Sequence, residues 1–268
     1  MDHQTVIDVV AEALRDAPGI RGLFLSGSYG TGMADAYSDI DFILVAEDGP
    51  TDAVAALWRE AIERTGKIIL WWDRTTRPAL INAITADWTR TDVVILKPGQ
   101  MGGQSRDAVT PLFDHDGIHG SLAERSGDPR SSPARLRYQI EEFIRILGLL
   151  HLAMGRKEYI NGVLGVFHLR NHLVELLIEE TAAPHRGGVL HLNRLLTEQQ
   201  KALVMSLPVP APERAAIIAA HLDFARAYLP RARRLAAERG VEWPERFEAI
   251  TWAMLAETLS IERPYTPE

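Results

Sequence analysis

The stretch Leu25-Ser-Gly-Ser-Tyr-Gly-Thr-Gly-Met-Ala-Asp-Ala-Tyr-Ser-Asp-Ile-Asp-Phe-Ile-Leu-Val45 decides how the chain is read. An apolar run, Ile20 to Leu25, reads as a short strand that enters a tight loop. Asp39 and Asp41 sit in the second apolar run, Ile40 to Val45. Side chains alternate along a strand, so the two acids point the same way and Ile40 is buried on the other face. Adjacent carboxylates repel unless a cation lies between them. Mg²⁺ takes one or two carboxylates and completes its shell with phosphate oxygens. Ser28 follows Gly27 in a turn that closes on itself. Glycine admits a ligand close to the backbone, successive N–H groups form an anion nest, and the hydroxyl adds a donor. One local unit thus offers both phosphate-binding groups and metal ligands, the makings of a nucleoside triphosphate site.

Composition narrows the setting. The chain has 268 residues, 46% hydrophobic and 24% charged, which is ordinary for a globular protein and enough for one large or two small domains. A net charge of −7 disfavours non-specific nucleic-acid binding, which rests on a positive surface, and suits a cationic substrate. There is no cysteine, which excludes disulfides and thiolate metal sites. The first residues do not resemble a signal peptide and no apolar run is long enough to span a membrane, so a cytoplasmic protein is expected.

Outward from the motif, Gln4 to Asp16 has helical periodicity, stopped by Pro18-Gly19. Asp48-Gly49-Pro50 reads as a turn, and Thr51-Asp52 as the cap of a helix from Ala53 to Thr65. Three β-rich runs follow, Lys67 to Asp73, Ala79 to Thr85 and Arg90 to Leu96, the last two read as a hairpin. Asp92 interrupts the third, and a charge inside an apolar strand is costly unless paired or metal-bound. Asp114, His115, Asp116 and His119 have the composition of a metal site but sit at an Asp-Gly turn, the favoured reading. Ser126 to Pro133 is a linker. Beyond it the pattern is helical: a stripe from Leu136 to Leu150 closed by Gly155, a helix from Glu158 to Glu180 before Pro184 and Gly187-Gly188, and shorter pieces from His191 to Leu207. A long helix from Ala211-Pro212 to Gly240, which Pro230 must kink, and a last one from Pro244 to Leu259 complete the chain. Domains are expected at 1–128 and 132–268.

Gly27-Ser28, a spacer, then Asp39-Ile40-Asp41 resembles the signature of the DNA polymerase β-like nucleotidyltransferase superfamily. With Gly30, Gly32 and Ser38 it looks like the small-molecule, antibiotic branch, and the element order and Gly155-Arg-Lys-Glu158-Tyr159 look most like two-domain lincosamide nucleotidyltransferases. It is not a Walker loop, for no Gly-Lys-Ser/Thr follows the glycines. The resemblance implies an α+β fold: an N-terminal nucleotidyltransferase mixed sheet with helices, then a C-terminal helical bundle for acceptor binding and dimerisation. It also implies a two-ion Mg²⁺ site at Asp39, Asp41 and a third carboxylate. Asp92 matches the third best, with Asp87 and Asp73 as rivals. Gly27 and Ser28 would orient the phosphates of a nucleoside triphosphate, ATP for preference, and Asp92 would complete the metal site or take the acceptor's proton. In some relatives a bundle glutamate lies near the acceptor, a part open to Glu141 or Glu142. The implied reaction moves AMP to a hydroxyl of a small molecule, such as a lincosamide or aminoglycoside, with no nucleic-acid or membrane partner and with a homodimer possible.

The alternatives are transfer to a protein or tRNA, and a non-catalytic interaction protein of antitoxin type. Other features read more plainly. His168 and His172, at i and i+4, lack the Glu of a His-Glu-x-x-His site, since Leu169 stands there, and read as helix-packing or surface residues. Arg231, Arg233, Arg234 and Arg239 read as a solvated helix face. Trp71, Trp72 and Trp88 read as core aromatics, with an acceptor-ring pocket as the other option.

Overall fold

The computed structural model describes residues 1–74, 79–183, 185 and 191–266, and its contacts divide the chain into two compact units, Met1–Gly127 and Asp128–Glu268. Pro184 and Gly187-Gly188 lie outside the described residues. The first unit runs α1 (His3–Arg15), β1 (Ile20–Leu25), α2 (Gly27–Gly30), β2 (Ile40–Ala46), α3 (Asp52–Glu63), β3 (Ile68–Arg74), β4 (Ala79–Thr85), β5 (Arg90–Leu96), a 3₁₀ turn (Pro98–Gly103), β6 (Thr110–Asp114) and α4 (Ile118–Ser121). Its six strands form one mixed sheet in the order β3-β4-β5-β2-β1-β6. Every pairing is antiparallel except β2 with β5.

Caps and periodicity explain the helices. The Asp2 side chain accepts from Thr5 N–H at the start of α1, and Thr51 accepts from Val54 N–H at the start of α3. Val6, Ile7, Val10 and Leu14 of α1 and Val54, Trp58 and Ile62 of α3 join Ile40, Phe42, Leu44, Ile81 and Val93 in one core. Burying such a side chain contributes roughly 1.5–3 kcal/mol. The alternate residues, Ile43 and Val45, face a smaller core with Phe24, Met101 and Val109. Alternation therefore puts Asp41 on the face away from α1 and α3. The strand begins at Ile40, so Asp39 stands just before it rather than within it, and the turn after β1 is a single helical turn, α2.

The second unit is helical: α5 (Pro133–Gly148), α6 (Leu150–Gly155), α7 (Tyr159–Thr181), α8 (Leu192–Leu195), α9 (Glu198–Ser206), α10 (Arg214–Glu238) and α11 (Glu245–Leu259). Ser132 caps α5 with Pro133 at its first position, as the sequence indicates. The stripe expected to run unbroken to Gly155 is divided at Leu149, whose N–H bonds both Arg145 and Ile146 carbonyls, a local tightening of the turn. The helix α10 starts at Arg214 and continues as one element through Pro230. Its arginines are more than a solvated face: Arg231 pairs with Glu180 at 3.1 Å, Arg233 with Glu248 at 2.8 Å, and Arg239 donates to the Ser131 carbonyl at 3.0 Å. Leu136, Phe143, Leu147, Leu169, Leu173, Phe224 and Tyr228 lie in a single core, with the Phe143 and Tyr228 rings stacked 3.8 Å apart. No helix among the described residues is long and apolar enough to cross a membrane.

Candidate active site

Parallel pairing of β2 and β5 places Asp41 directly beside Asp92 in register, on one face. Asp39 reaches the same point from the residue before β2, and ligand oxygens of the three carboxylates all lie within 4.8 Å of one another. This is the one group among the described residues with three or more His, Cys, Asp or Glu side chains arranged to hold a metal ion. His168 and His172 are not part of such a set.

The loop is built around Asp41. Its backbone carbonyl accepts from Ser26 N–H at 2.8 Å, which closes the loop onto the strand. Gly27 has φ +55°, and a Cβ there would lie 2.0 Å from Asp41 Oδ2, so only glycine lets the carboxylate in. At Gly30 a Cβ would fall 2.4 Å from the Ala108 carbonyl. The Ser28 hydroxyl is buried and has no partner among the described residues.

Electrostatics follow from the geometry. Burial first, then the facing charges of Asp39 and Asp92, pushes the Asp41 carboxyl up to about 6. Burial also raises Asp92, opposed by a hydrogen bond from Asn82 and by the cations Arg90 and Arg74. Arg90 lies 3.6 Å from Asp39 Oδ2 and donates to the Tyr37 carbonyl at 3.3 Å. Three carboxylates against the guanidiniums of Arg90 and Arg74 leave an excess of negative charge, and a hard divalent cation matches that donor set.

The rivals for the third carboxylate stand elsewhere. Asp87 sits in the β4–β5 turn, bonded to the N-terminal amine at 2.8 Å and to the Thr85 hydroxyl at 2.6 Å, which hold it well below the usual carboxylate range. Asp73 pairs with Ile81, one residue out of the row Trp72–Asn82–Asp92–Asp41, so it takes the opposite face. At the Asp-Gly turn, Asp114 accepts from Ile118 and His119 N–H at 3.0 and 2.8 Å, Asp116 pairs with Arg21, and His115 bonds the Arg15 carbonyl. Those groups serve the turn. Trp72 and Trp88 are 54% and 69% exposed, so the core reading fails for both, while Trp71 packs against the first core. Glu141 and Glu142 belong to the second unit, where each pairs with an arginine of α5, Arg137 and Arg145, at 2.6 Å.

Two site residues went unread in the sequence. Arg90 stands two residues before Asp92 and so shares its face, and Asn82 is a polar interruption of an apolar strand, the same signal that singled out Asp92.

Residues 7–80 match the family profile described as Nucleotidyltransferase domain. No curated protein matches the sequence. Among solved structures, an aminoglycoside 6-adenyltransferase from Bacillus subtilis is 14% identical, with 95% of this chain and 97% of that one covered, at a TM-score of 0.42. A nucleotidyltransferase-like protein from Exiguobacterium sibiricum is 10% identical over 97% of this chain and 89% of its own, at 0.37. Spectinomycin adenyltransferase from Enterococcus faecialis is 12% identical over 83% and 99%, at 0.33. These overlaps are too loose to carry an acceptor or a mechanism across. Residues 7–80 of the first unit thus carry a nucleotidyltransferase-domain signature, and nucleotidyl transfer is the enzyme class that signature supports.

Proposed function

We propose that the chain moves a nucleoside monophosphate, AMP from ATP, to a hydroxyl of a small molecule and releases pyrophosphate. The observation that carries this is the convergence of Asp39, Asp41 and Asp92 within 4.8 Å, beside a loop whose glycine admits Asp41. Those three carboxylates would hold Mg²⁺, as a two-ion site, and the ions would supply charge neutralisation for the triphosphate and the departing pyrophosphate. Gly27 N–H and the unpartnered Ser28 hydroxyl orient the phosphates. The acceptor oxygen bonds the α-phosphorus in line as the bond to the β-phosphate oxygen breaks. Its proton passes to Asp92, which shares the face of Asp41 and meets Asp39 at the same point. Positioning and charge neutralisation supply most of the acceleration.

In this reading the second unit binds the acceptor and supports a homodimer, with the domain division at 1–128 and 132–268. Glu141 and Glu142 border a groove of about 850 Å³ with Tyr138, Trp243 and Phe247, a lining suited to a ring-bearing cation such as a lincosamide or aminoglycoside. The net charge of −7 favours such an acceptor over nucleic acid, in a cytoplasm that supplies the triphosphate. The test is Mg²⁺-dependent pyrophosphate release from ATP, screened over lincosamides, aminoglycosides and candidate proteins. Release with a small hydroxylated acceptor supports the reading, and no release with any acceptor overturns it.

A further inference from the structure

Between α5, α6, α7 and α10 of the second unit lies a cavity of about 240 Å³. Its walls include Glu142 and Arg145 from α5, Asn161, Gly165 and His168 from α7, and His221 from α10. The imidazole of His221 is the unusual member. The residue is 2% exposed, and its Nδ1 bonds the Ile217 carbonyl one turn back at 2.9 Å. A carbonyl can only accept, so Nδ1 carries the proton and Nε2 is left as a bare acceptor. Burial pushes the ring down to about 4, which keeps it neutral near pH 7. Nε2 points at Gly165, where a Cβ would stand 3.3 Å away, so glycine leaves the ring edge open to the cavity. Among the described residues none bonds Nε2. An acceptor that opens onto a cavity is available to a donor placed there, and leucine would fill the same space without offering one. On the same helices, outside the cavity's lining, His172 Nδ1 and the Tyr228 hydroxyl are buried without partners among the described residues. Polar groups on facing helices, short of partners, are how bundles build ligand sites.

Size and chemistry define the occupant. A cavity of about 150 Å³ takes one benzene ring, so this one takes a single substituted six-membered ring. The neutral imidazole asks for a donor. Glu142, held by Arg145 through two bonds of 2.6 Å, offers a carboxylate to a second donor, and the Arg145 guanidinium offers donors in return. We propose that this cavity binds one amino-sugar-like ring, a hydroxyl or ammonium of which donates to His221 Nε2 while Glu142 takes a second donor. The inference rests on the proposed function only in making that ring part of the acceptor, since binding itself requires neither nucleotide nor metal.

The test uses the full chain, labelled with ¹⁵N-histidine and titrated with D-glucosamine and with D-glucose in the absence of nucleotide. Glucosamine should move the His221 Nε2 resonance, and His221→Leu should weaken its binding by about tenfold or more while the variant still melts cooperatively as a folded protein. Gly165→Val leaves His221 in place and covers Nε2, so it should remove the shift. The proposal is overturned by a silent His221 with both sugars, by equal binding in His221→Leu, or by a shift that survives in Gly165→Val. Pyrophosphate release is followed in parallel. Release that continues while His221 stays silent sinks this site alone and leaves nucleotidyl transfer standing.

Discussion

Acids are held in opposite ways in the two units. In the second, Glu248 is 1% exposed and receives Arg233 at 2.8 Å, Trp243 Nε1 at 2.7 Å and the Tyr265 hydroxyl. Glu179, equally buried, receives the Ser131 N–H on both oxygens. In the first, Asp39, Asp41 and Asp92 face one another, and the ion pair to Arg90 is a long 3.6 Å. Acids that hold the fold are saturated with donors by the chain itself. Acids set against each other, with the basicity of Asp41 and Asp92 raised, have the arrangement of groups that meet a partner from solution.

That contrast breaks most readily at the triad. Asp41→Asn and Asp39→Asn should each lower pyrophosphate release by at least about 10²–10³-fold, the scale on which a preorganised electrostatic contact acts. Both variants should melt no lower than the parent, because each removes one of three repelling charges. A variant that unfolds would place these acids with the structural set. Glu248→Ala should do the reverse and cost about 1–3 kcal/mol in denaturant unfolding, because Trp243 Nε1 and the Tyr265 hydroxyl lose their acceptor.

Gly27→Ala comes next. Its methyl would collide with Asp41 Oδ2 at a positive φ, so a destabilisation of about 1–3 kcal/mol is expected, together with loss of the Mg²⁺-induced thermal shift. The pH response is smaller. Asp41 binds its proton up to about 6 in the folded protein and up to 3.8 in the unfolded one, so the native state holds more protons between those values. Stability of the metal-free protein should therefore fall as pH rises through that window. Thermal melts of Asp41→Asn should be flatter there, and Mg²⁺ should stabilise the parent more above pH 6 than below it. The smallest change is expected for Arg90→Ala, which removes a cation that holds Asp41 and Asp92 down. The acid limb of the pH–rate profile should move to higher pH, and an unmoved limb would remove Arg90 from the site.

Much of the site could be read from the sequence because its signals are local. Gly27, Ser28, Asp39 and Asp41 fall within one short segment, and alternation alone puts the two acids on one face. Asp92 required a likeness to a family, since no spacing rule says which strand lies beside β2. Arg90 and Asn82 act through neighbouring strands, and pairing is a tertiary fact. The break at Leu149 and the exposure of Trp72 and Trp88 follow from what each helix or strand packs against, to which periodicity is blind. His221 looks like any helical histidine until Gly165 is seen across from it.

The lone parallel pairing also has a meaning in time. Antiparallel neighbours can zip from a turn, but β2 must wait for α3 and the β3–β4–β5 meander before β5 arrives beside it. A chain still emerging from the ribosome holds its first two acids with nothing to complete them. Under the proposed function, no metal site exists until β5 has joined β2, so the first two acids alone would leave a half-made chain idle.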